Sequence, residues 1–484
     1  MSEKLAPLFL AGSWAEGASG KFDDVENPAT GQIIARAAVA DDGDVETAVT
    51  EAVRAQKSWA RTSAFDRAAV LVRLAELIER DHERLAQIIV AELGKPIREA
   101  RGEAMGAAGY CRFFAGIITT QGGEVLPSAG RNREIWIRRE PIGVVAGIIP
   151  WNFPMALTAR KLAPALVAGN AIVLKPAELT PLSALAIAEL AVEAGVPDGI
   201  LSILPGRGSV IGTALVRNPN IGFVTMTGSV RAGRSILHNA ADRIIPVSLE
   251  LGGKAPFIVF ADCDLDAAAE AAVATRMLNN GQACVANERT YVEDGVFDEF
   301  VDRMAERLEA MVIGDPTAES TEVGPKASQA ELENVERIVD ASIEAGAHVA
   351  TGGHRLTEGE FERGHWFKPT LLTGVAEESP VLREEVFGPV VPVVPFSTEH
   401  EVARMANASE YGLSAYIYTE NFSRAMRMVG DLESGEVFIN REGPEEVNGF
   451  HTGWGDSGLG GDDGVHGLEL YRRKKSVYVN WRDE

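Results

Sequence analysis

Ile142-Gly143-Val144-Val145-Ala146-Gly147-Ile148-Ile149 is a continuous apolar run, the pattern of a strand buried on both faces. Three more runs follow it: Ala171 to Leu174, Ile200 to Leu204 and Ile221 to Met226. Helix-like stretches near 155–168, 181–194, 209–217 and 229–240 separate them. Strands alternating with helices predict a parallel, doubly wound sheet. Ligands of such sheets bind outside the carboxyl ends of the strands. Polar or glycine-bearing loops stand at those ends: Trp151-Asn152-Phe153, Lys175-Pro176-Ala177-Glu178, Gly206-Arg207-Gly208 and Thr227-Gly228-Ser229. Gly206, Gly208 and Gly212 lack the G-x-G-x-x-G spacing and read equally as turn residues. Lys175 and Glu178 say more, because a lysine and a carboxylate just past a buried strand can grip ribose hydroxyls.

Upstream, residues 8–40 read as short strands and turns, and 44–60 as a helix. Apolar residues recur at helical spacing from Ala64 to Leu93, and Gly94-Lys95-Pro96 stops that run. A helix over 97–118 follows. Arg133 to Glu140 alternates polar and apolar residues, as does Ser476 to Trp481, so both read as half-exposed strands. They form either an arm that pairs with another subunit or an ordinary edge hairpin. A second α/β region begins after Cys284, with a strand at 288–292 and helices at 296–311 and 329–345. The expected division is a cofactor domain over 1–120 and 142–249, a catalytic domain over 250–450, and an oligomerisation arm over 121–141 and 468–484.

The chemistry centres on Leu249-Glu250-Leu251-Gly252-Gly253-Lys254 and Gly281-Gln282-Ala283-Cys284. A thiolate can attack a carbonyl carbon, and a carboxylate can activate the water that later releases the acyl group. A lone cysteine is more often a buried hydrophobe. With Asn152 as an oxyanion donor, the three residues make a nucleophile, a base and a stabiliser.

The formal net charge is −24, which argues against nucleic acid and anionic membrane as partners. Arginine greatly outnumbers lysine. Dense carboxylates fit either an ordinary acidic enzyme or a halophilic one whose self-repulsion salt would screen. On the high-salt reading, the melting temperature rises between low salt and molar KCl. Three cysteines suggest neither a disulfide framework nor a metal cluster, and a reducing cytoplasm suits a free thiol. No apolar run reaches the roughly 20 residues that span a bilayer, and Met1 to Leu10 shows no secretory pattern.

Taken together, the motifs resemble those of the NAD(P)-dependent aldehyde dehydrogenase superfamily. The matching pieces are Pro150 to Pro154, Lys175 to Glu178, Thr227-Gly228-Ser229 with Gly233, Leu249 to Lys254, Gly281 to Cys284, and Glu384 to Pro389. They occur in the family's order. Phe438 to Glu442 and Gly449 to Gly458 look most like the lactaldehyde/glycolaldehyde dehydrogenase branch, although that branch often has a polar residue where Val285 stands.

The resemblance implies catalytic roles for Cys284, Glu250 and Asn152, through a thiohemiacetal and a thioester. It implies that Trp151, Lys175, Glu178, Gly228, Ser229, Glu385 and Phe387 hold NAD, or NADP, with Glu178 favouring NAD. No metal is implied. Arg160, Glu442 and His451 are candidate substrate contacts. The expected substrate is a small 2-hydroxyaldehyde such as lactaldehyde or glycolaldehyde, oxidised by a homo-oligomer (dimer or tetramer). Three alternatives remain: a semialdehyde held by Arg160 (succinate semialdehyde or 2,5-dioxopentanoate), acyl transfer to coenzyme A instead of water, and a non-catalytic relative on the same fold.

Overall fold

The computed structural model describes residues 5–482. The extreme ends of the ranges 1–120 and 468–484 lie outside them. Five parallel strands form the heart of an eight-stranded sheet, in the spatial order Val247–Glu250, Ile221–Thr227, Val144–Ile148, Ala171–Lys175 and Leu201–Ile203. Val144–Ile148 comes first in the chain and lies in the middle. The connections run one way from it to Ala171–Lys175 and the other way to Ile221–Thr227. That reversal opens the crevice where doubly wound sheets bind ligands. Every residue of Val144–Ile148 and Ala171–Lys175 is buried. Each such Val, Ile or Leu contributes about 1.5–3 kcal/mol by leaving water, which is why these runs carry almost no polar side chains.

Gly458–Leu459 pairs antiparallel with Val247–Glu250 and closes one edge of this sheet. Leu8–Leu10 and Ser13–Ala15 close the other. A second, seven-stranded sheet has the order His348–Thr351, Thr370–Thr373, Val390–Phe396, Asn287–Glu293, Ala255–Val259, Ser414–Tyr418 and Glu436–Ile439. All its pairings are parallel except the first. The chain leaves the first sheet at Glu250 and enters the second at Ala255. Strand C-termini of one sheet therefore adjoin strand N-termini of the other.

A third sheet joins Glu124–Pro127, Arg133–Pro141 and Arg472–Asn480. Two expectations need correction. The helical run over 64–93 is two helices, Ala64–Arg80 and His82–Leu93, because Asp81 leaves helical geometry and ends one while starting the other. The stretch 209–217 opens as a π-helix, Gly208–Gly212, before the short helix Thr213–Arg217.

Candidate active site

Glu250 stands at the carboxyl end of its strand, fully among buried residues, and Asn152 lies in the loop after Val144–Ile148. Cys284 follows a chain reversal that only particular residues tolerate. Helix Leu265–Met277 is followed, after Leu278, by three successive left-handed residues: Asn279 (φ 51°), Asn280 (φ 60°) and Gly281 (φ 78°). Asparagine is enriched there because its short amide bonds locally. Asn280 donates to the carbonyls of Gly94 (3.2 Å) and Pro325 (2.9 Å), and accepts from the Gly324 N–H (2.6 Å). Glycine is required at 281 because an added Cβ would overlap the Gly388 carbonyl. Asn279 Nδ2 donates to the Asn152 carbonyl (2.8 Å), and Asn152 Nδ2 to the Gln282 carbonyl (3.1 Å). The Asn152 amide is thus fixed beside the cysteine loop.

Cys284 Sγ donates to Glu250 Oε1 at 3.2 Å. Thr227 Oγ1 donates to the other oxygen, Oε2, at 2.8 Å. His451 lies beneath them: Nε2 is 3.1 Å from Glu250 Oε1, and Nδ1 donates to Glu436 Oε2 at 2.8 Å. Burial alone would raise the Glu250 carboxyl, but the His451 charge and hydrogen bond, together with the Arg160 and Lys161 charges, outweigh it and hold Glu250 well below the usual range. His451 goes the other way. Burial opposes its charge, yet Glu445 and Glu250 push its pKa well above the ordinary imidazole value. The Cys284 thiol is pushed up to about 12, first by burial and second by the Glu250 carboxylate.

This shift has a measurable consequence. A thiol ionises above its pKa, so raising the pKa leaves little thiolate at neutral pH. Iodoacetamide modification of Cys284 in the cofactor-free protein should accelerate about tenfold per pH unit from 7 to 10. A plateau below pH 8 would show an ordinary or activated thiol instead.

Two cavities meet at this cluster. One, of about 450 Å³, is lined by Gly102, Gly106, Tyr110, Phe153, Arg160 and Glu445 among others, and ends on Cys284, Asn152 and Glu250. The other, of about 200 Å³, ends on Cys284 and Asn152 from the far side. It is lined by Trp151, Thr227, Gly228, Ser229, Glu385 and Phe387. Its lining suits one end of a dinucleotide, and Lys175 and Glu178 lie outside that lining. The N-terminus of helix Val230–Ala240 opens at Ser229, a position suited to pyrophosphate. Glu385 accepts from the Gly253 N–H (2.8 Å), and an added Cβ on Gly252 would overlap its carboxylate. Phe387 takes φ 51°, its N–H bonded to Glu288 (3.0 Å) and its carbonyl to Lys326, and meets Trp151 edge-on at 5.4 Å. Lys175 Nζ lies 3.2 Å from Glu178 Oε2, and Glu178 Oε1 accepts from the Gly208 N–H (2.7 Å).

The three substrate candidates part company. Arg160 lines the larger cavity, but its guanidinium is engaged. Nε is 3.0 Å from Asp463 Oδ1, NH2 also meets Asp463, and NH1 is 3.0 Å from Glu445. His451 is buried under Glu250 and is absent from the cavity wall. Glu442, expected to contact substrate, is instead exposed on the loop surface and lies outside the cavity lining, whereas Glu445, three residues on, lines the cavity.

Sequence reasoning missed Glu436 and Glu445, which flank the Phe438 to Glu442 segment but meet His451 only through folding. It also took Lys95 for part of a helix stop. Lys95 is completely buried, pairs with Glu103, donates to the Asn152 carbonyl (3.1 Å) and lies 3.6 Å over the Phe153 ring. Glu103 in turn accepts the N–H groups of Met155 (2.9 Å) and Ala156 (3.2 Å) at the start of helix Pro154–Val167. Removing either partner leaves a buried charge, a change that costs about 3–5 kcal/mol.

The sequence model of the aldehyde dehydrogenase family matches residues 14–477. The 3,6-anhydro-alpha-L-galactose dehydrogenase of Streptomyces coelicolor is 52% identical over 473 residues, covering 97% of this chain and 96% of that protein. The lactaldehyde dehydrogenase of Escherichia coli is 42% identical over 475 residues, covering 98% of each. Among solved structures, 3,6-anhydro-L-galactose dehydrogenase in complex with NAP has a TM-score of 0.96 at 42% identity, covering 99% of this chain and 100% of that one. The NAD+ complex of aldehyde dehydrogenase from Bacillus cereus also has a TM-score of 0.96, at 36% identity, covering 99% of this chain and 97% of that one. The chain belongs to the aldehyde dehydrogenase family: it is an enzyme that oxidises aldehydes with NAD(P).

Proposed function

We propose that Cys284 is the nucleophile, Asn152 the oxyanion donor and Glu250 the base, and that the substrate is a hydroxylated aldehyde up to anhydro-sugar size. The observation that carries the catalytic part is the meeting of the two cavities at Cys284 and Asn152. An aldehyde in the larger one presents its carbonyl carbon to Sγ. The thiol proton passes to Glu250 Oε1, 3.2 Å away, and the new oxyanion stands beside Asn152 Nδ2 and the Cys284 N–H. NAD(P) bound in the cleft supplies the acceptor for hydride. Glu250 passes the thiol proton to solvent, then takes one from the water that hydrolyses the Cys284 thioester and returns it to the leaving sulfur, so the thiol is restored.

Size supports the substrate reading. A volume of about 450 Å³ falls in the range that holds ligands well above three carbons, about 300–1,000 Å³. Gly102, Gly106 and Gly109 cut back the wall, since a Cβ on any of them would meet nothing within 4 Å. Glu445 offers an acceptor to a substrate hydroxyl. 3,6-Anhydro-L-galactose, named for the relative at 52% identity, is the first candidate, and lactaldehyde the second. The semialdehyde reading loses support because Asp463 and Glu445 occupy the fork of Arg160. The test is kcat/KM for 3,6-anhydro-L-galactose, lactaldehyde and succinate semialdehyde. The highest value is expected for the anhydro-sugar, and Gly106→Val should depress that value more than the value for lactaldehyde. A semialdehyde ahead of both would overturn the proposal.

Glu178 supports a preference for NAD. Its carboxylate would face the 2′-phosphate of NADP with like charge, an interaction on the order of 1–4 kcal/mol at close range. The expected kcat/KM ratio of NAD to NADP is about tenfold or more, and Glu178→Gln should narrow it. A wild-type ratio below one would remove Glu178 from that role.

The three-stranded sheet supports an oligomer. Its edge strand Glu124–Pro127 is exposed along its length, including Val125 and Leu126. An unprotected apolar edge invites pairing with another chain. Light scattering that returns the mass of one chain would contradict an oligomer.

A further inference from the structure

A thiol sulfur, a carboxylate oxygen and an imidazole nitrogen from Cys284, Glu250 and His451 all lie within 4.8 Å of one another. Sγ and Nε2 are 3.2 and 3.1 Å from Glu250 Oε1. Ligand atoms around a tetrahedral zinc ion, with bonds of about 2.0–2.3 Å, stand about 3.3–3.8 Å apart. The two distances to Oε1 fall just short of that spacing, and the sulfur and the imidazole nitrogen lie within 4.8 Å of each other. Thiolate, imidazole and carboxylate are also the ligand types that Zn²⁺ favours.

His451 is oriented as a metal-bound histidine is. Its Nδ1–H is held by the Glu436 carboxylate at 2.8 Å, which leaves Nε2 as the ligand atom. That Nε2 is buried and makes no well-aligned hydrogen bond, despite its approach to Glu250. The larger cavity reaches Cys284 and Glu250 and gives an ion a route in and room for a fourth ligand.

We propose that Cys284 Sγ, Glu250 Oε1 and His451 Nε2 form a reversible inhibitory site for Zn²⁺ or a similar borderline-soft divalent cation. The charge balance favours it. Without metal the cluster holds a thiol, an imidazolium and a carboxylate, and its net charge is zero. Binding forms bonds from sulfur, nitrogen and oxygen to the ion and releases the thiol proton and the Nε2 proton to solvent. Thiolate and carboxylate then balance the dication, so the net charge is again zero. The surrounding Glu436, Glu445 and Arg160 need no compensating change. The bound ion occupies the electron pairs that Cys284 and Glu250 would otherwise offer to aldehyde and water. A second acidic group, Glu436 and Glu445 on the Nδ1 side of the same imidazole, is the competing location; an ion there would leave Cys284 free.

The test uses the full-length enzyme in a non-thiol reductant, titrated with ZnCl₂ by calorimetry in buffers of different ionisation enthalpy and with CoCl₂ by absorbance. The expected result is one chelator-reversible ion per chain, release of about two protons per ion, and a thiolate-to-cobalt charge-transfer band with tetrahedral visible bands. Zn²⁺ should protect Cys284 from iodoacetamide. Glu436→Gln should weaken binding about 10–100-fold while keeping the thiolate band. Cys284→Ser should abolish the band, and His451→Gln the saturable binding. No saturable binding to the wild type, binding without the thiolate band, or unchanged affinity in Cys284→Ser would overturn the proposal. The wild-type spectrum and proton count decide it even where a variant fails to fold.

Discussion

Cys284→Ala is expected to lower kcat on the order of 10⁵–10⁶-fold, the scale seen when a covalent nucleophile is removed from a site whose other groups remain. No other described thiol can substitute. Cys111 is buried in helix Ile97–Ile118, and Cys263 is pushed up to about 12, first by burial and then by Asp262. The variant should keep its fold, because Asn279, Asn280 and Gln282 shape the loop through their own side chains. NAD(P) affinity should change little, since the cleft is built largely by the strand ends after Ile148 and Thr227 and by the Glu385–Phe387 segment. Thermal melting and cofactor titration check these two points. Dehydrogenase activity within tenfold of wild type would end the assignment of Cys284.

Glu250→Gln is expected to separate acylation from deacylation. Glutamine preserves the shape and can still accept from Thr227 Oγ1, but it cannot take a proton. Addition of Cys284 can still proceed with solvent as the proton acceptor, so one equivalent of reduced cofactor should appear per active site. Hydrolysis then lacks its base, and steady-state turnover should fall by about 10²–10⁴-fold. The environment sharpens this expectation. Glu250 is held ionised by His451, Arg160 and Lys161 against the opposing effect of burial, so the wild type presents a carboxylate throughout the neutral range, the form that glutamine cannot supply. A variant with neither burst nor altered turnover would exclude Glu250 from deacylation.

The doubly wound sheet was legible because its strands are buried on both faces, and burial on both faces leaves an uninterrupted apolar run. Val144–Ile148 and Ala171–Lys175 fall within a residue or two of where that reasoning put them. The long helical run over 64–93 was misread as continuous because apolar spacing carries through Asp81, whereas backbone geometry does not. Lys95 was illegible for a different reason. Beside glycine and proline it looks like turn chemistry, and only folding shows that Glu103 neutralises it beneath Asn152. In the same way, the sequence offers His451 as a polar group near the substrate loop. Its actual neighbours, Glu250 and Glu436, come from two different sheets. Glu442 and Glu445 show the limit of motif matching: one is exposed and the other faces the cavity, a difference that three residues of loop path decide.

The most direct test of the account is intact-mass and peptide analysis of Glu250→Gln after mixing with aldehyde and NAD(P) and quenching within one turnover. The account predicts one acyl group per chain, matching the substrate in mass and bound to Cys284 as a hydroxylamine-labile thioester. Reduced cofactor formed without any adduct on Cys284, or an adduct on another residue, would contradict it.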